Sequence, residues 1–342
     1  MPASFKIPSH MRAVVLHTFD QIESLVVEER PVPRPQAGQV LIRMHASPVN
    51  PSDLAFLRGV YSKKELPVVP GIEGSGTVVA AGHGLFGRML VGRRVAFAAS
   101  NEGEGTWAEY AVLPAQNCMP LGRSISLEQG AMLIVNPLTA WLLMAEAQRN
   151  GRRALVQTAA AGALGKMIVR LARQRGVTTI NIVRRDEQAA ALRELGATHV
   201  LNSTAADFEA LLFEVCRMED ARLAFDAVGG ELTGKILSAM SNGARLISYG
   251  GLALEPCILD PRVFISAGKS IEGFQLGRAM GRLSLITRLK IVRRVQQALG
   301  RELQSEIQAR VPLKDAVRGL QQYVHNMSAG KVLLVMNRAE AE

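Results

Sequence analysis

Cysteine is scarce: Cys118, Cys216 and Cys257 are the only three in 342 residues, they lie far apart, and no C-x-x-C knuckle occurs. That excludes a disulfide framework and suits a reducing compartment, so a cytoplasmic location is expected. No apolar run reaches the length a membrane-spanning helix needs. The opening MPASFKIPSH holds no apolar signal-peptide core ahead of the first strand, expected near Met11. Aromatic residues are only 5% of the chain and few lie among the basic ones. The formal charge of +10 therefore does not read as a stacking surface for nucleic acid. The six histidines, His10, His17, His45, His83, His199 and His325, show no i, i+4 ligand pair and read as structural or surface residues. Internal repeats and low-complexity segments are absent. With 48% apolar and 20% charged residues, the chain is long enough for two domains, each with its own core.

What is present is organised around residues 153–185, RALVQTAAAGALGKMIVRLARQRGVTTINIVRR. Ala154-Leu155-Val156 reads as a buried strand. A bend of small residues follows, Ala159 to Gly165, then apolar residues at helical spacing (Ile168, Val169, Leu171, Ala172) that stop at Gly176. Thr179 to Val183 reads as a second strand. Strand, bend, helix and strand form one βαβ unit of the length that a dinucleotide fold uses. The bend has the form A-x-x-G-x-x-G, a variant of G-x-G-x-x-G. Ala160, Ala161, Gly162, Ala163, Leu164 and Gly165 leave room for a pyrophosphate to approach the backbone, and the helix start supplies unpaired N–H groups. About 20 residues past the last glycine, an NAD site carries an acid for the ribose 2′-hydroxyl, whereas an NADP site carries arginine nearby. Arg184 and Arg185 stand there, with Asp186 following. Forked guanidinium bonds suit a 2′-phosphate, so NADPH is the expected cofactor.

Before this unit, residues 11–48 alternate short apolar runs with Gly and Pro. Val68 to Val79, Val91 to Phe97 and Trp107 to Val112 read as further strands. This is a mostly β region, compatible with a partly open barrel. Helix begins near Ser126. After residue 185, strands and helices alternate through Tyr249, the pattern of a doubly wound parallel sheet. Lys269 to Gln275 offers a last strand, the tail holds one or two helices, and Lys331 to Met336 reads as a strand returning to the first domain. The expected division is 1–126 and 276–342 against 127–275. Tyr249-Gly250-Gly251 follows a sheet strand, where ligands lie, and is assigned to the cofactor. The densest basic stretch, residues 278–301, is either a solvated helix face or a surface for an anionic substrate or partner, such as a coenzyme A thioester or an acidic carrier protein.

The order of the parts, with Val49-Asn50-Pro51-Ser52-Asp53, Pro70 to Gly76, Gly105 to Tyr110, the 159–165 bend, Ser248 to Gly251 and Gly330 to Leu333, resembles the medium-chain dehydrogenase/reductase superfamily. The resemblance implies an α/β fold: a Rossmann doubly wound parallel sheet plus a GroES-like, mostly β, partly open barrel. The zinc members carry Cys near the N-P-S-D position and His in G-H-E. Here Ser52 and Ile72 stand at those places, so a zinc-free oxidoreductase is implied. Within that group, Arg58 to Tyr61, Val135 to Trp141 and Ile180 to Arg184 resemble mitochondrial-type enoyl-thioester reductases more than quinone oxidoreductases.

The resemblance implies reduction of an activated C=C bond, in an enoyl thioester or enone, with Tyr61 as proton donor. A phenol suits that task because it stays protonated at neutral pH. Asn50 is a candidate donor to the developing oxyanion or to the nicotinamide, and equally a cap for the turn before Pro51. Thr139, Phe274, Gly277 and Lys331 are assigned to the cofactor by family position. Glu73 and Asp53 read as structural ion partners. Relatives commonly dimerise, so a homodimer is implied. Two alternatives stand: an NADPH:quinone oxidoreductase, and a non-enzymatic NADPH-binding or RNA-binding module.

Overall fold

The structure, a computed structural model, describes residues 5–20, 22–60, 64–99, 103–149, 151 and 153–336. They divide into two compact units, residues 1–135 with 305–342, and residues 136–304.

The first unit opens with an antiparallel ribbon of β1 (His10–Leu16) and β2 (Leu25–Pro31). β3 (Gln39–Pro48) is its central strand; Val40, Leu41, Ile42 and Met44 are all buried. Asn50 then takes an extended backbone, and Pro51 opens α1 (Pro51–Leu57), where its missing N–H costs nothing. β4 (Glu73–Ala81), α2 (Leu85–Leu90), β5 (Arg94–Ala98), β6 (Tyr110–Pro114) and β7 (Cys118–Pro120) follow. α3 (Leu127–Ala131) starts on a capping box between Ser126 and Gln129.

The second unit takes over within α4 (Val135–Arg149). It then alternates as β8 (Ala154–Gln157), α5 (Ala163–Gln174), β9 (Thr178–Val183), α6 (Asp186–Glu194), β10 (His199–Asn202), α7 (Phe208–Met218), β11 (Leu223–Asp226), α8 (Gly230–Ala239) and β12 (Arg245–Ser248). α9 (Pro261–Ala267), β13 (Ser270–Gly273), α10 (Leu276–Gly281) and α11 (Leu285–Ala298) complete it. The strand order is β10-β9-β8-β11-β12-β13, parallel throughout. Numbered within the sheet, that is 3-2-1-4-5-6, the doubly wound order that reverses between β8 and β11. One apolar cluster joins the strands to α7 and α8 through Phe208, Leu212, Ile236 and Leu237. Another joins Val169 of α5 and Leu192 of α6 to Val183.

The chain returns to the first unit as β14 (Ile307–Pro312), α12 (Ala316–His325) and β15 (Lys331–Val335). One edge of β3 pairs with β4; the other pairs with β6 along residues 39–43 and with β15 along 46–48. The order β14-β15-β3-β4-β5-β7 is an open sheet, so the expected barrel is not closed among the described residues. Its core gathers Phe97, Trp107, Leu41 and Ile42, each at most 2% exposed.

Several local expectations change. Val68 forms only an isolated bridge to Leu16, and the strand starts at Glu73. α2, α9 and β14 were not anticipated. The compact second unit runs to residue 304 where the sequence suggested 275, because α10 and α11 cluster with the parallel sheet.

Candidate functional site

In the second unit, chemistry collects at the C-terminal ends of the parallel strands. After β8 the chain turns through Ala159, whose φ of 49° is a left-handed conformation that an L residue adopts only at some cost. The next residue, Ala160, stands at the place of the first glycine in G-x-G-x-x-G. The bend is held by Ala160 N–H donating to Ile182 O (3.3 Å) and Gly162 N–H to Ala159 O (2.9 Å). A Cβ on Gly165 would lie 2.3 Å from Ala160 O and 2.6 Å from Ala160 Cα, so only glycine fits the packing of helix on bend. Ala160 and Ala161 are buried, while Gly162, Ala163 and Leu164 reach the surface. The first-turn N–H groups of the 12-residue α5 are thereby presented to an anion.

Arg184 and Arg185 are exposed beyond β9, and Arg185 is the N-cap of α6. Asp186, the feature that argued for NAD, accepts from Asn202 Nδ2 (2.9 Å). Tyr249, Gly250 and Gly251 follow β12, half-buried. Tyr249 N–H donates to Asp226 O (2.8 Å), and burial, with Asp226 nearby, raises its phenol above the ordinary value. Phe274 N–H donates to Ser248 O (2.8 Å), Gly277 is exposed in the first turn of α10, and Thr139 is 6% exposed within α4.

Sequence reasoning missed what ties this rim together. Asp226, fully buried at the end of β11, accepts from Thr158 Oγ1 (2.7 Å), Thr233 Oγ1 (2.6 Å) and Val228 N–H (2.9 Å). Thr158 Oγ1 in turn accepts from Ala227 N–H (2.8 Å). The available signal was an acid closing the apolar strand Leu-Ala-Phe-Asp just ahead of Gly229-Gly230.

In the first unit, Asn50, Asp53, Glu73 and Lys331 form one buried cluster, each at most 1% exposed. Lys331 Nζ donates to Asn50 Oδ1 and to Val49 O. Asn50 Nδ2 donates to Glu73 Oε1 (3.1 Å), and Asn50 N–H to Asp53 Oδ2 (2.7 Å). Glu73 Oε2 also accepts from Ile134 N–H (3.1 Å) and Val135 N–H (2.9 Å). Asn50 thus links the Lys331 ammonium to both carboxyl groups. Burial raises both carboxyl pKa values, that of Asp53 to about 7, and lowers that of Lys331; Glu73 and Asp53 partly offset the effect on the lysine. Glu73 and Asp53, read from the sequence as structural ion partners, feel the Lys331 charge but hydrogen-bond to N–H donors in its place. Lys331, assigned by the resemblance to the cofactor, is 1% exposed and directs two of its three N–H donors to Asn50 Oδ1 and Val49 O. Tyr61 lies outside the described residues.

Residues 36–123 match the alcohol dehydrogenase GroES-like domain, and residues 163–289 match the family described as zinc-binding dehydrogenase. A protein from Mesorhizobium loti assigned as an NADPH:quinone reductase is 38% identical, with a TM-score of 0.91 over 97% of this chain and 100% of that one. The chain belongs to the medium-chain dehydrogenase/reductase superfamily. Bovine mitochondrial enoyl-[acyl-carrier-protein] reductase is 29% identical over 96% of this chain and 90% of its own. A mycobacterial protein solved in complex with NADPH is 26% identical with a TM-score of 0.83, covering 95% of this chain and 99% of that one.

The zinc implied by one family description does not fit the residues present. Ser52 and Ile72 occupy the positions of the Cys and His ligands, and neither supplies thiolate or imidazole. Glu73 beside them is committed to three N–H donors, with the Lys331 ammonium in the same cluster.

Proposed function

We propose that the chain is an NADPH-dependent, zinc-independent reductase of activated C=C bonds, acting on a 2-enoyl thioester or enone. The observation that carries this reading is the small-residue bend at the start of α5 with Arg184 and Arg185 beyond β9. The N–H groups of Ala163, Leu164 and Gly165 would hold the diphosphate, and the two guanidinium groups the 2′-phosphate. Ala160, Ala161, Gly162, Thr139, Tyr249, Gly250, Gly251, Phe274 and Gly277 would line the remainder of the cofactor's path. When bound, NADPH supplies a hydride to the β carbon of the substrate. Electron density then moves onto the carbonyl oxygen, and Tyr61 would give its phenolic proton to the α carbon. Asn50, its amide oriented by Lys331 and Glu73, keeps a second Nδ2 hydrogen for a partner at the reaction centre.

NADPH absorbance should fall on addition of crotonyl-coenzyme A or a simple alkenal. A Tyr61→Phe variant should lose about 100-fold or more in kcat, as expected for removing a general acid. No turnover across a panel of enoyl thioesters and alkenals would defeat this assignment.

A second reading, NADPH:quinone reduction, is favoured by the likeness to the Mesorhizobium loti protein. It predicts faster turnover with quinones and indifference to Tyr61. The reductase names of the relatives weigh against a non-enzymatic module. No helix among the described residues is long and apolar enough to cross a membrane. The Cys118 and Cys216 thiols are buried, with pKa values pushed up to about 12, so neither is poised as a nucleophile. The outer strand β13, with three of its four residues exposed, is the surface through which a homodimer would form.

A further inference from the structure

Beyond β9 the second unit carries two features that pull in opposite directions. Arg184 and Arg185 suit a ribose 2′-phosphate, while Asp186, next in the chain, is the kind of acid that a 2′-hydroxyl selects. All three are exposed. A carboxylate free to approach the ribose would repel the phosphate that the guanidinium groups attract.

The carboxylate is not left free. Asp186 Oδ1 accepts from Asn202 Nδ2 (2.9 Å), and Asn202 is the last residue of β10. The Asn202 amide has only one workable orientation. Its Oδ1 accepts from Thr204 N–H (3.0 Å) and from the Thr204 hydroxyl (2.8 Å), and a backbone N–H can only donate. The amide nitrogen must therefore face Asp186. The position of Asn202 is set by strand pairing: it lies opposite Val183, and Ser203 N–H donates to Val183 O (2.8 Å).

The sheet order gives the direction of this pull. β9 lies between β10 and β8. The diphosphate is assigned to the bend after β8, where Ala160 N–H donates to Ile182 O (3.3 Å). Asn202 stands across β9 from that bend, so its amide draws Asp186 toward β10 and away from the side of the cofactor. Arg184 is held separately, its N–H donating to Gln188 Oε1 (3.2 Å). The dipole of α6 accounts for a carboxylate in the first turn. It does not call for an amide, aligned by two donors, to hold that carboxylate to the neighbouring strand.

We propose that Asn202 sets the cofactor preference: it withholds the Asp186 carboxylate from the adenosine ribose and leaves a 2′-phosphate to Arg184 and Arg185. Asn202 is a positioning residue that acts through Asp186. The inference rests on the NADPH reading and deepens it by naming what keeps the opposing acid out of the way.

The test is the dissociation constants of NADPH and NADH, measured by isothermal titration on the full chain with thermal midpoints alongside. The wild type should prefer NADPH. Asn202→Ala and Asn202→Leu, which both lose the donor, should reduce that preference about fivefold, through weaker NADPH and tighter NADH binding. Asp186→Ala, at an exposed position, should keep the preference within about twofold of the wild type, because the acid it removes is already withheld. Asp186→Ala/Asn202→Ala should match Asp186→Ala, since Asn202 acts only through the acid. A wild-type preference that both Asn202 variants leave unchanged, even with lowered thermal midpoints, marks a purely structural contact; it overturns the inference and spares the NADPH reading. A preference that falls as far in the double variant as in Asn202→Ala also overturns it, as does an Asp186→Ala protein whose preference rises tenfold. Equal binding of the two cofactors by the wild type overturns the NADPH reading and the inference with it.

Discussion

Asp53 shows how much one buried residue can set. In an unfolded chain its carboxyl titrates near 3.8, whereas in the folded protein it holds its proton to about pH 7, because burial outweighs the Asn50 N–H and Lys331. The native state therefore binds more protons than the unfolded state between those values. The stability this supplies is complete below pH 3.8 and is lost as pH rises through 7. An Asp53→Asn variant lacks this titration. From pH 5 to pH 8 its unfolding free energy should gain about 3 kcal/mol on the wild type. Denaturant melts at the two pH values measure it, and parallel stability profiles would contradict it. Lys331 makes the complementary case. Lys331→Met leaves the buried Asn50 Oδ1 and Val49 O without their donor and removes the charge that holds the Glu73 pKa down, a loss of about 1–3 kcal/mol. A loss below 1 kcal/mol in the same melts would show that the carboxyl groups do not need the cation. None of this was legible as a cluster, since residues 50 and 331 meet only through the pairing of β15 with β3. What the sequence did show was one charge opening each of two glycine-flanked strands, Glu73 and Lys331.

At the scale of elements, α5 and its bend are the most exacting part. Gly165→Ala drives a Cβ into the Ala160 backbone, which cannot yield as a side chain would. A fall in thermal midpoint together with weaker NADPH binding is expected, and unchanged binding would detach the bend from the cofactor. This element was plain in the sequence because β8 and β9, buried along nearly all their length, carry short strand-like runs, Ala154-Leu155-Val156 and Thr179 to Val183, with α5 showing helical periodicity between them. α2 was missed for the opposite reason. Gly87 interrupts it, Leu85, Phe86 and Met89 face solvent, and Leu90 is its one large buried residue, so no core-facing stripe exists to find. β14 was missed because it is an outer strand of mixed pattern ending in Pro312, and its pairing with β15 is decided by the sheet around it.

Over the whole molecule, the doubly wound order of the second unit and the return of β15 to the first were both readable. Strand–helix alternation and a final apolar run without a following helix suffice for that. The placement of α10 and α11 with the parallel sheet was not, because their sequences bury little: no residue of α10, and only Val295 and Ala298 of α11. Function at this scale reduces to which dinucleotide the second unit accepts, since the whole redox assignment stands on a diphosphate at α5 and a further phosphate at Arg184 and Arg185. The most direct measurement is the dissociation constants of NADPH and NADH by isothermal titration, on the wild type and on Arg184→Ala/Arg185→Ala. NADPH should bind the wild type about ten- to a hundredfold more tightly than NADH, the worth of charge-assisted hydrogen bonds to one phosphate, and the double variant should lose that preference. Equal binding of the two by the wild type, or a preference that survives loss of both arginines, would contradict the account.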